Sequence, residues 1–136
     1  MSLITWTDDL SVGVRRLDDD HKILIGLINK LYDAMSDGHG DELLASVLSA
    51  LKKYTATHFF REESLMKSYD YPDYEDHKKH HESLINRLND FVARYNKNKN
   101  TVNTIEISRF LQDWLLNHIK QEDFQYKPHF HECGLT

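Results

Sequence analysis

The chain has 136 residues, nine of them histidine and one cysteine, and a net charge of −5. That length suits one domain around one core, and the negative charge argues against a general binder of nucleic acid or of acidic membranes. No apolar run approaches the roughly 18 residues that a membrane span needs, MSLITWTDDLSVGV lacks the basic-then-apolar pattern of a secretory leader, and a lone Cys133 forms no internal disulfide. A cytoplasmic monomer is the expectation.

An N-terminal arm over residues 1–17 carries Leu3, Ile4, Trp6, Val12 and Val14, scattered so as to pack across a helical body. The first helix is expected over 18–35, ending at SDGHG, with His21 on the face of Leu24, Ile25, Ile28 and Tyr32. The second, over 41–67, ends before YDYPDYED. In it His58 and Glu62, four residues apart, share a stripe with Leu44, Val47, Leu48, Leu51, Tyr54, Leu65 and Met66, while Arg61 lies at the edge and Glu63 points away.

The third helix is expected over 74–97, ending in NKNKN, and opens with HKKHH. At 100° per residue, His81 falls about 40° and Leu88 about 20° from His77, so both histidines sit mid-stripe, and His80 falls at the edge. The fourth, over 104–126, sets His118 with Ile107, Leu111, Trp114 and Leu115, and Pro128 helps to stop it. A solvated tail, 127–136, holds His129, His131 and Cys133; His39 lies in a Gly-rich loop. Short connections favour antiparallel neighbours. The fold expected is all-α, a single-domain, up-down-up-down antiparallel four-helix bundle.

Every helix therefore turns at least one histidine inward, and the second adds a carboxylate. A buried, unpaired polar atom costs about 1–3 kcal/mol, and an ionised carboxylate in an apolar core costs more unless a cation compensates it. A metal centre relieves both. Histidine and carboxylate donors without thiolate suit iron, zinc or manganese. Five histidines with one or two carboxylates exceed one tetrahedral zinc, so two bridged metals fit better. A second bridging carboxylate is sought after His118, in IKQEDFQY. Regular helix geometry favours Glu122, at i+4; Asp123 points inward only if the helix widens into a π turn, a feature frequent at functional sites.

The set His21, His58-x3-Glu62, His77-x3-His81 and His118-x4-Asp123, with W-x5-VGV in the arm and WLLNHIKQEDFQY in the last helix, resembles the hemerythrins. The resemblance spans nearly the whole chain and looks like the single-domain bacterial form. One departure is DDDH before His21, where the family commonly has glutamine, which bears on the contacts around His21.

The resemblance implies Asp123 rather than Glu122, and hence a π turn. It implies two irons bridged by Glu62, Asp123 and an oxo or hydroxo group. His77, His81 and His118 would hold the full iron; His21 and His58 would hold the one with a vacant position. It implies an oxygen pocket walled by Leu24, Phe59, Trp114, Leu115 and Ile119. Tyr126, about one turn beyond Asp123, is expected beside that carboxylate. The function implied is reversible dioxygen binding, for transport, storage or delivery to an oxygen-consuming enzyme, without catalysis. An oxygen or redox sensor, a di-iron peroxidase or oxidase, and iron storage are the rival readings. They would call for a fused signalling domain, a substrate entrance and a larger cavity respectively.

Overall fold

The structure, a computed structural model, describes residues 4–36, 40–97 and 104–136. Leu3, His39 and most of SDGHG and NKNKN lie outside the described residues. The expected architecture is present. Helix α1 spans Arg15–Ser36, α2 Gly40–Ser68, α3 Tyr74–Lys97 and α4 Thr104–Asn117; a π-helical turn, His118–Asp123, then joins α4 to α5, Phe124–Glu132. Helix α1 packs on α2 and α4, and α2 packs on α3. No helix among the described residues is long and apolar enough to cross a membrane.

The arm is held by specific bonds. Asn29 of α1 accepts from the Ile4 N–H at 2.9 Å and donates to the Ile4 carbonyl at 2.8 Å. The Asp18 carboxylate accepts from the Val12 N–H at 2.8 Å and from the Ser11 hydroxyl, tying the arm to the first turn of α1. Between them Gly13 takes φ +80°, a left-handed conformation that an L side chain rarely adopts. Ile4, Leu10, Val12 and Val14 are buried as the arm crosses the body.

The apolar stripes form two clusters. The larger gathers Leu24, Ile28, Leu48, Leu51, Phe59, Leu88, Leu111, Trp114 and Leu115, among others. The smaller gathers Val12, Val14, Leu17, Met66, Tyr71, Tyr126 and Phe130. Along α1, α2 and the last helical run, the inward polar residues fall between members of the two clusters. The polar layer is thus walled by apolar side chains on both sides.

The last helical run does not stop before Pro128. It continues to Glu132 with Pro128 inside it, and its final turn is not a solvated tail. Proline inside a helix forfeits a hydrogen bond and costs about 3 kcal/mol. Tyr126 and Phe130 are fully buried, and burying two such rings contributes about 3–6 kcal/mol. Packing therefore carries the helix past the proline. His129 also leaves solvent: its Nε2–H donates to the Tyr69 carbonyl at 2.6 Å, whereas His131 and Cys133 are exposed.

Candidate metal centre

Seven inward residues meet in the layer between the clusters. Helix α1 supplies His21, α2 His58 and Glu62, α3 His77 and His81, and the π turn His118 and Asp123; each is at most 3% exposed. His58 and Glu62, and likewise His77 and His81, are four residues apart on regular helix, so each pair shares a face. His118 and Asp123 are five apart. They share a face because the π turn inserts one extra residue, with the Phe124 N–H reaching back to the Ile119 carbonyl.

Glu122, favoured by regular helix geometry, is not in this cluster. It is swung outward, where its carboxylate accepts from His118 Nδ1–H at 2.8 Å and lies 3.6 Å from the exposed His80.

The donor atoms converge. The Asp123 carboxylate lies 3.0 Å from His21 Nε2, 3.1 Å from His77 Nε2 and 3.0 Å from His118 Nε2. Glu62 lies 2.6 Å from His58 Nε2, 3.7 Å from His77 Nε2 and 3.9 Å from His81 Nε2. These approaches lack hydrogen-bond geometry. All five Nε2 atoms and all four carboxylate oxygens are buried without a hydrogen-bond partner. They face shared points in space rather than one another.

Two overlapping groups result, Glu62–His77–His81–His118–Asp123 and His21–His58–Glu62–Asp123, each with its donor atoms within 4.8 Å of one another. Both carboxylates belong to both groups. Neutral imidazole nitrogen with anionic oxygen is a donor set that suits iron, and two carboxylates offset part of the charge of two dications. The residues fit a metal pair.

Charge in the metal-free centre follows the same geometry. Burial opposes a proton on His58 and His118, yet the neighbouring carboxylates win, raising the imidazoles to about 9 and about 10. At His81 burial prevails and holds the ring down at about 3. Burial also opposes the charges of Glu62 and Asp123, but the histidines beside them keep both below their ordinary values. Metal uptake must expel these shared protons. Tyr126, its ring 5.6 Å from that of His77, has a fully buried hydroxyl; burial and then the Asp123 and Glu62 charges push it well above its ordinary value.

Outside the cluster, carboxylates face three of the five rings. His58 Nδ1–H donates to Asp20 at 2.9 Å, His81 Nδ1–H to Glu63 at 3.1 Å and His118 Nδ1–H to Glu122 at 2.8 Å. Once the shared protons are expelled, each bond leaves Nε2 as the lone-pair face toward the centre. Glu63 was expected to point away from the core; its backbone does, but its carboxylate reaches across to α3.

A tight apolar crevice, with no room for a water-sized sphere, adjoins the centre, lined by His21, Leu24, His58, Phe59, Leu84, Trp114, Leu115 and His118. Of the five expected wall residues, Leu24, Phe59, Trp114 and Leu115 line it. Ile119 is fully buried but does not. Leu84 was not anticipated, although its place on the α3 stripe, three residues after His81, was the available signal. The indole N–H of Trp114 donates to the Leu84 carbonyl at 3.1 Å.

The hemerythrin HHE cation-binding domain matches residues 12–130. The chain belongs to the hemerythrin family. Its hemerythrin relatives include the bacteriohemerythrin of Methylococcus capsulatus (strain Bath), 35% identical over 94% of this chain and 97% of that one. The bacteriohemerythrin of Pseudomonas aeruginosa (strain PAO1) is 35% identical over 93% of this chain and 80% of its own length. A crystal structure of wild-type hemerythrin superposes with a TM-score of 0.82 at 34% identity, covering 93% of this chain and 97% of that one.

Proposed function

We propose that this hemerythrin binds dioxygen reversibly at a non-heme di-iron centre, serving oxygen transport, storage or delivery to an oxygen-consuming enzyme. The carrying observation is the convergence of nine buried, unpartnered donor atoms from seven residues. His77, His81 and His118 with Glu62 and Asp123 would hold one iron; His21 and His58 with the same two carboxylates would hold the other. The second set has one protein ligand fewer, which leaves room for an exogenous molecule.

Two irons held there supply the electrons that dioxygen takes up and gives back, together with the open position it occupies. The protein's part is positioning and exclusion. The cleft that touches His21 and His58 is otherwise walled by Leu24, Phe59, Leu84, Trp114 and Leu115. Such a wall keeps out bulk water and its protons, and a small neutral molecule would enter only as the side chains give way. The only polar hydrogen of the Trp114 side chain is held by the Leu84 carbonyl, so this ring brings no loose proton donor to the cleft. Reversible binding would depend on keeping such donors out of the cleft. The cleft is also too narrow to suggest a larger organic substrate, which favours carriage over catalysis.

The test is to reduce the iron-loaded protein anaerobically, admit air, and follow the visible spectrum through oxygen and argon cycles, with iron counted per chain. Two irons and a colour that comes with oxygen and goes under argon are expected. One iron per chain, or a single irreversible conversion, would sink the proposal.

A further inference from the structure

We propose that Asp20 is the positioning residue for the two-histidine metal position, fixing the ring of His58 and so deciding whether that position fills. The inference rests on the di-metal reading above and concerns the residue at which DDDH departs from the common family pattern. That departure was expected to act on His21, its neighbour in sequence. The structure directs it to His58 on the adjacent helix instead.

Asp20 is 2% exposed and wholly engaged. One oxygen accepts from His58 Nδ1–H at 2.9 Å, the other accepts from the Tyr54 hydroxyl at 2.9 Å, and the Arg61 guanidinium pairs with both. A carboxylate so held has little freedom to turn, so the imidazole bonded to it has little either.

The alternative arrangement of His58 is close at hand. Its Nε2 lies 2.6 Å from Glu62. With no acceptor at Nδ1, a small turn of the ring would let it donate from Nε2 to Glu62, closing one ligand onto another. Asp20 opposes that arrangement by taking the Nδ1 proton. His21 gives no independent support, because its Nδ1 is buried without a partner and its ring meets His58 edge-on at 4.7 Å. The three-histidine position differs: Glu63 and Glu122 brace His81 and His118 separately. Orientation at the two-histidine position therefore runs through one carboxylate.

A purely structural role, a clamp of α1 to α2 through Arg61 and Tyr54, is the competing explanation. Cobalt(II) titration of the metal-free protein under argon separates the two, because cobalt's visible bands strengthen as its coordination number falls. Wild type is expected to take two cobalt ions per chain, the second adding the stronger band. Asp20→Asn, close in shape, is expected to keep the first and bind the second about 10-fold or more weakly, with the strong band fading in step; Asp20→Ala should do the same more severely. Tyr54→Phe removes one contact of the clamp but spares the His58 bond, and should titrate like wild type. Unchanged second-ion affinity in both Asp20 variants, equal weakening of both ions, or a Tyr54→Phe titration matching Asp20→Asn would overturn the role. A wild type that takes only one ion would overturn the di-metal reading itself.

Discussion

In α2, His58 and Glu62 are four residues apart on unbroken α-helix; in the last helical run, His118 and Asp123 are five apart and joined by a π turn. Both segments deliver one imidazole and one carboxylate to the same point. The first does so with ordinary helix periodicity. The second spends an extra residue, and in return Glu122 is displaced from the inward face to the outer nitrogen of His118. Each segment thus provides two donors and a brace, but Glu63 of α2 braces His81 on the neighbouring helix, whereas Glu122 braces His118 within its own turn. Register is therefore a local property here, reset within a single turn.

Deletion breaks the comparison most sharply. Removing the exposed Phe60 rotates everything beyond it in α2 by about 100°, turning Glu62 and Met66 out of the core. Circular dichroism and metal analysis should show loss of the cooperative melt and of both metals. Removing the exposed Gln121 should have the opposite result. It returns Asp123 to i+4 on a regular helix and leaves Tyr126 and Phe130 in phase, so two irons should remain. Metal loss in that deletant would mean that the π turn does more than restore register.

The next largest effect tests what the two segments share. Removing metal leaves both carboxylates compensated only by protons shared with the neighbouring imidazoles. A ligand present at about 1,000 times its dissociation constant stabilises by about 4 kcal/mol, so chelation should lower the melting temperature by about 10 °C. An unchanged calorimetric Tm would contradict a metal-dependent core. Most local is the effect of Leu115→Ala, which thins the cleft wall beside the π-turn segment and should leave both metals bound. It should destabilise by about 2–5 kcal/mol, the ordinary range for such truncations, and speed oxidation of the oxygenated form several-fold. Stopped oxidation assays that match wild type would remove Leu115 from the shielding role.

What was legible followed from periodicity. Strict 3.6-residue spacing marked His21, His58, Glu62, His77, His81 and His118 as inward, and charge in an apolar stripe marked the centre as metallic. Asp123 was not legible that way, because the wheel assumes one helical geometry throughout; only the family resemblance pointed to it. The helix beyond Pro128 was hidden for a related reason. Local propensity ends a helix at proline, and only the tertiary burial of Tyr126 and Phe130 overrides it. Asp20 and Glu63 sit beside the stripes rather than on them, and contacts between helices have no period to read.

The smaller apolar cluster joins the arm to the final helix, and Lys127 Nζ donates to the Ser11 carbonyl at 2.9 Å. This sets an order of events in synthesis. At roughly 5–20 residues per second, His21 waits several seconds before Asp123 exists, and the floor beneath the centre closes only when Phe130 has met Val12 and Leu17. A nascent chain offers scattered imidazoles but no finished cage. A metal that needs both carboxylates would therefore find its full donor set only after translation has passed the last helix.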